Sequence, residues 1–252
     1  MYRLEMACQI IHDSIHGRPG WTEEYILRTG STGVGYGSVA VGGPWTGKPT
    51  AYEVYVVPHH RDRLLDLCQA LLTASVAAAI EVQSNDPLAT AMLRAFADDV
   101  TSEAILFHDR LATAFRPAGA TFRQATASEA PEAPVDQLPW RGVVEVDGTI
   151  AAAGGVLFHY NPPYGDIFMD VAEPFRRRGI GSFLVQELKR LCYERGRIPA
   201  ARCSTGNDAS RRALEKGGFV RCGEMLKGSA GRSGRYTRVR PRGSAEPDPP
   251  CD

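Results

Sequence analysis

One stretch constrains this chain more than any other: Asp170-Val-Ala-Glu-Pro-Phe-Arg-Arg-Arg-Gly-Ile-Gly-Ser-Phe-Leu-Val-Gln-Glu-Leu-Lys-Arg-Leu191. A strand stops at Pro174, a turn rich in Arg and Gly follows, and an amphipathic helix begins. Ile180, Phe183, Leu184, Leu188 and Leu191 share one face of that helix, which must be buried against something, here a sheet. The start of such a helix has backbone N–H groups without partners, and its dipole is positive there. Absent side chains at Gly179 and Gly181 open room for a pyrophosphate directly on those groups. Arg176 offers a planar, charge-assisted contact that suits phosphate better than Lys.

The pattern around this stretch is mixed α/β. Residues 3–15 carry Leu4, Cys8, Ile11 and Ile15 at helical spacing. Strands are expected at 24–28, 37–42, 52–57 and 79–83, with helices at about 62–77 and 87–96. The stretch 126–139 is rich in Ala, Glu and Pro and reads as a linker. Then the order repeats: strands at 141–146, 149–158 and 166–172, a helix at about 179–194, a strand at 200–204 and a helix at 208–216. Segments 219–226 and 235–239 read as a closing hairpin, and the Pro-rich tail 241–252 as disordered. Pro58 answers Pro174, and Asn85-Asp86 with Ala91-Met92 answers Asn207-Asp208 with Ala213-Leu214. This reads as a duplication, with halves at 1–116 and 117–240.

A second segment adds to the first: Asn207-Asp-Ala-Ser-Arg-Arg-Ala-Leu-Glu-Lys-Gly-Gly-Phe219, a helix with a good N-cap and a glycine stop. The two segments, in this order and at this interval, resemble motifs A and B of the GCN5-related N-acetyltransferases (GNAT superfamily). The resemblance covers roughly 140–226 and is weak before that. It implies the GNAT fold: a mixed, mostly antiparallel sheet with a splayed parallel strand pair, flanked by helices and here duplicated. It implies acetyl-CoA as cosubstrate and acetyl transfer to a primary amine of a small molecule or peptide. Backbone groups of Met169 and Val171 would hold pantetheine as an added strand. Amides of Arg178, Gly179, Ile180, Gly181 and Ser182 would hold the pyrophosphate, with Arg177 also among the cofactor-binding residues, and Asn207 and Ser210 would lie along the pantetheine near the thioester.

Two departures matter. The position where many members carry a proton-donating Tyr is Leu214, which leaves Ser210 as the nearest group to stabilise a thiolate. Where some members carry a carboxylate near the acceptor stands Arg202, either turned toward a carboxylate-bearing acceptor or facing solvent. A Lys-like amine with pKa about 10.4 must lose a proton before attack, a deficit of about 4–5 kcal/mol at neutral pH. Asp166 and Asp170, on one face of their strand, are the candidate bases. Family bases lie early on this strand, near a bulge, which favours Asp166; Asp170 qualifies if burial raises its pKa. His159 and Tyr160 come next. The lost Tyr also admits a different class, a non-catalytic acyl-CoA-binding or regulatory protein.

The first half lacks the glycines. Aligning Pro58 with Pro174 sets His60, Arg63 and Leu65 where Arg176, Gly179 and Gly181 stand. It reads as a degenerate copy that supports the acceptor pocket, giving one coenzyme per chain. His59-His60 has no third ligand at metal spacing, so no metal is expected. Balanced charge, 29 basic against 29 acidic residues, argues against nucleic acid or membrane as a partner. Six scattered cysteines without a Cys-x-x-Cys pair, and no signal peptide or spanning run, are expected of a cytoplasmic protein with reduced thiols. Cys203, beside the pantetheine gap, has no His partner to activate it, so no acetyl-cysteine intermediate is expected. No motif sets an oligomeric state.

Overall fold

The computed structural model describes residues 9, 11–126, 129 and 140–231. The first half runs α1 (His12–His16), β1 (Thr22–Thr29), β2 (Thr32–Ala40), β3 (Thr50–Val56), α2 (Leu64–Ser75), β4 (Ala79–Gln83), α3 (Pro87–Phe96) and β5 (Ala97–Asp109). The second runs β6 (Ala120–Gln124), β7 (Trp140–Val146), β8 (Thr149–Leu157), β9 (Tyr164–Val171), α4 (Ile180–Glu194), β10 (Ile198–Ser204), α5 (Asp208–Lys216) and β11 (Phe219–Ala230). The expected linker lies almost wholly outside the described residues, as do the start of the opening helix, segment 235–239 and the tail.

Local chemistry explains most boundaries. The Asp147-Gly148 turn between β7 and β8 has both residues at positive φ, 51° and 77°, the twist a two-residue hairpin needs. Asp86 caps α3 by accepting from the N–H groups of Leu88 and Ala89, with Pro87 in the first turn. β5 was not among the elements expected from periodicity. Its opening Ala-Asp-Asp-Val-Thr-Ser-Glu is a poor strand sequence, and pairing with β11 overrides that weak propensity, β10 joining on the other side only from Ala104.

All strands join one sheet in the order β1-β2-β3-β4-β11-β5-β10-β9-β8-β7-β6. Each half thus contributes a parallel pair, β3–β4 and β9–β10. The last strands are exchanged: β5 pairs with β10 of the second half, and β11 with β4 of the first. They meet each other, antiparallel, at the centre. The expected hairpin at 219–226 is corrected accordingly, since this strand runs on to Ala230 between β4 and β5.

Two cores sit on one face of the sheet. Leu226 packs on the first core beside Val82, while Glu224, two residues earlier, pairs with Ile105 of the second core. The two-residue period therefore puts α2, α3 and α4 on the same side. Lys189 of α4 is buried against Asp109 of β5 (2.6 Å) and donates to the carbonyls of Leu111 and Gly217, fastening the exchanged strand to the second core. The opposite face carries α1, whose Ile15 packs on Ala40 and Tyr52.

Candidate functional site

β9 ends where Glu173–Phe175 turns as a short 3-10 helix around Pro174. Arg177 and Gly179 then take left-handed φ values of 61° and 81°. α4 begins without a side-chain cap, and Phe183 N–H to the Gly179 carbonyl (3.0 Å) is its first turn's bond. The amides of Ile180, Gly181 and Ser182 precede that bond, at the positive end of the dipole. Side chains of Arg176, Arg177 and Arg178 are exposed around them. The two glycines differ in kind. A Cβ on Gly179 would meet only ordinary contacts, Lys216 Nζ at 3.7 Å and Pro117 Cγ at 3.9 Å, so its requirement is the positive φ. On Gly181 a Cβ would lie 3.1 Å from Val171 Cγ2 and 3.5 Å from Met169 Sδ. That corrects the expectation that both glycines clear space for phosphate: Gly181 lets α4 approach β9.

Arg176 also differs from expectation. Its Nε donates to the Val171 carbonyl at 3.1 Å, so part of the guanidinium secures the strand end.

β9 and β10 pair only from Tyr164↔Ile198 to Ile167↔Ala201. Beyond that, β9 follows β8 to Val171↔Ala152 while β10 follows β5 to Ser204↔Ala104, and the pair opens. Ala172 N–H donates to the Ala151 carbonyl (3.0 Å). By alternation, backbone groups of Met169 and Val171 point away from β8, toward the opening. On the other arm, Asn207 caps α5 by accepting from Ser210 N–H at 3.0 Å. The Ser210 hydroxyl lies against Cys203, whose thiol is pushed up chiefly by burial. Leu214 is buried, with 2% of its surface exposed.

On the sheet face opposite α4, at the closed end, stands a polar cluster. Asp166 is buried, with His159 Nε2 at 3.3 Å and Arg202 Nε at 3.7 Å from the same carboxylate oxygen. Arg202 also reaches His159 (3.4 Å) and lies over the Tyr160 ring. Neither expectation for Arg202 holds alone, since a carboxylate already faces it while its side chain stays partly open to solvent. Burial raises the Tyr160 phenol well above its usual range, so it stays protonated at neutral pH and is no base. Asp170 is exposed, which removes the condition on which its role rested. The β8–β9 register runs without a break. Nothing in sequence spacing joins His159, Asp166 and Arg202; the parallel pairing does.

Residues 109–219 match the family model described as Acetyltransferase (GNAT) family. That span is a GNAT domain. An acetyltransferase from the GNAT family of Colwellia psychrerythraea shares the fold at a TM-score of 0.69 and 13% identity, covering 91% of this chain and 95% of that one. A tandem GNAT protein from the clavulanic acid biosynthesis pathway aligns at 0.53 and 15%, covering 86% of each chain. A GCN5-related N-acetyltransferase from Sphaerobacter thermophilus aligns at 0.54 and 16%, covering 82% of this chain and 80% of that chain. No curated protein sequence matches the chain. With two such parallel pairs in one sheet, the chain has a tandem GNAT fold.

The first GNAT-like half differs from the second in its turn. Its parallel pair spans only Thr50↔Ala79 and Ala51↔Ile80. The bulge stands here, opposite Ser38 and Val39, where Tyr52 is the extra residue. Arg61 Nε donates to the Val56 carbonyl at 3.1 Å, as Arg176 does to Val171. Arg61, not His60, is therefore the counterpart of Arg176. Arg63 before α2 has φ −100°, so the left-handed entry is missing, and its guanidinium turns to Asp66.

Proposed function

We propose that the GNAT domain transfers an acetyl group from acetyl-CoA to a primary amine by direct attack. The observation that carries this reading is the left-handed turn Arg177–Gly179 leading into the uncapped start of α4, beside the opening between β9 and β10. Pyrophosphate suits the amides of Arg178 to Ser182, with Arg176, Arg177 and Arg178 around it. Pantetheine suits the free backbone edge of Met169 and Val171, although the Val171 carbonyl is already engaged by Arg176. Asn207 and Ser210 border the thioester end. The amine nitrogen attacks the thioester carbon, the carbon–sulfur bond breaks, and the amine proton passes to Asp166 directly or through His159. Ser210 then stabilises the leaving thiolate, and Cys203, buried and raised, stays out of the chemistry. We place the protein in the cytoplasm, in keeping with the free thiols Cys68, Cys192, Cys203 and Cys222. Among the described residues no helix is long and apolar enough to cross a membrane.

Calorimetric titration with acetyl-CoA is expected to give one site per chain, because the first half lacks the left-handed entry; a stoichiometry near two would overturn that assignment. CoA release, screened against polyamines, amino acids, aminoglycosides and peptide N-termini, tests the chemistry. Asp166→Asn should lower turnover about 10²-fold or more at neutral pH, with acetyl-CoA affinity held and partial rescue at high pH. Leu214, buried where the family Tyr would stand, favours one rival: tight acetyl-CoA binding without CoA release from any amine would make this a non-catalytic binding protein.

A further inference from the structure

Where the two halves meet, the face opposite α2, α3 and α4 holds a cavity of about 450 Å³. Its walls include Glu81 of β4, Glu103 of β5, Met225 of β11, Arg202 of β10, and Asn207 and Ser210 at the start of α5. One end is therefore the β10 arm of the opening in which acetyl-CoA is proposed to lie. The other end is built by carboxylates of the half that lacks the cradle.

The charges in this cavity pair off unevenly. Arg202 stands beside buried Asp166 (3.7 Å). Glu81 Oε2 has Lys227 Nζ at 3.1 Å and accepts from Trp45 Nε1 at 3.3 Å. Glu103 is 3.9 Å from that same Lys227, with half its side chain, 52%, exposed. One lysine cannot neutralise two carboxylates, so the surplus charge is negative and sits on Glu103, at the end away from the opening.

We propose that this cavity is the acceptor site and that the acceptor is a dicationic amine. One amino group reaches the opening, and a second ammonium rests on Glu103 with Glu81 behind it. The inference rests on the acetyl-transfer reading and names its substrate class. It also gives the first half a function: the exchange of β5 and β11 carries Glu103 and Met225 into a wall shared with β10.

The test compares α,ω-diaminoalkanes of about three to six carbons with the monoamine and the ω-amino acid of equal length, which differ only in far-end charge. The best diamine should exceed both counterparts about tenfold or more in kcat/KM, the scale of one charge-assisted contact. Glu103→Gln should abolish that preference mainly through KM, and Glu103→Lys should turn it toward the ω-amino acid. A wild-type preference for monoamine or amino acid, or a diamine preference surviving Glu103→Lys, overturns the proposal. Calorimetric binding of the same amines to the CoA-loaded protein makes the same comparison without turnover. Failure to bind acetyl-CoA would bring down the acetyl-transfer reading itself, whereas acetyl-CoA binding with no diamine selectivity removes this inference alone.

Discussion

At the residue scale, two glycines that look alike in the sequence are separated by what a methyl group would meet. Gly179→Ala keeps the packing but forces a Cβ into a left-handed φ, costing about 1–2 kcal/mol and disturbing the turn. Acetyl-CoA affinity should fall more than the melting temperature. Gly181→Leu should do the reverse first: its Cβ already crowds Val171, so overpacking between α4 and β9 should cost about 1–3 kcal/mol. Thermal melts beside acetyl-CoA titrations distinguish the two, and equal, purely ligand-side effects would show that Gly181 faces the ligand after all. The motif was legible because its residues are neighbours in the chain. The split between a conformational and a packing glycine was not, because β9 supplies the atoms that decide it.

At the element scale, α1 is a short helix held by chemistry more than by length. Glu53 of β3 is buried and accepts from His16 Nε2 (2.9 Å) and Tyr36 Oη (2.7 Å), with His12 Nδ1 at 3.2 Å. The other His16 ring nitrogen faces Glu24 of β1 (2.9 Å), and Tyr52 lies beside both histidines. The chain bridges halves here, since Asp13 N–H donates to Asn161 Oδ1 at 2.8 Å, next to Tyr160. Burial alone would raise the Glu53 carboxyl, but contacts from His12 and His16 outweigh it and hold it well below the usual range. His16 is raised above 6.5 by its bond to Glu53. A lowered carboxyl gives stability that is present above its unfolded value near 4.5 and lost as pH falls through the folded one. A raised histidine gives stability present below 6.5 and lost as pH rises through its folded value. Docking of α1 should therefore be firmest between about pH 5 and 6.5 and loosen as pH rises above that range, through the raised His16 value. Amide exchange in α1 followed across pH checks this; His16→Asn should flatten the alkaline limb, and an unchanged limb would refute the assignment. The sequence pattern found a helix here, but nothing local links His16 to Glu53.

At the scale of the whole molecule, the exchanged strands make the halves interdependent. A fragment beginning at residue 117 would lose β4 and β5, and with them the partner of β10 from Ala200 to Ser204 and both partners of β11. Phe107 and Ile105 would leave the second core. Such a fragment, with two long edges exposed, should self-associate or stay unfolded rather than form a folded monomer. Size-exclusion chromatography with circular dichroism decides it, and a compact, cooperatively melting monomer would refute the interdependence. The helices α2, α3 and α4, the strands β7 and β8, the glycine turn and the duplicated order were legible along the chain alone. Periodicity, caps and turn residues act between neighbours, so they are written locally. Which half β5 and β11 complete, what surrounds Asp166, and where Glu81 and Glu103 face were decided only in three dimensions. Backbone edges carry the same donors and acceptors whichever strand they meet, so exchanged and unexchanged pairings read alike along the chain, and burial of β5 in the far core selects between them.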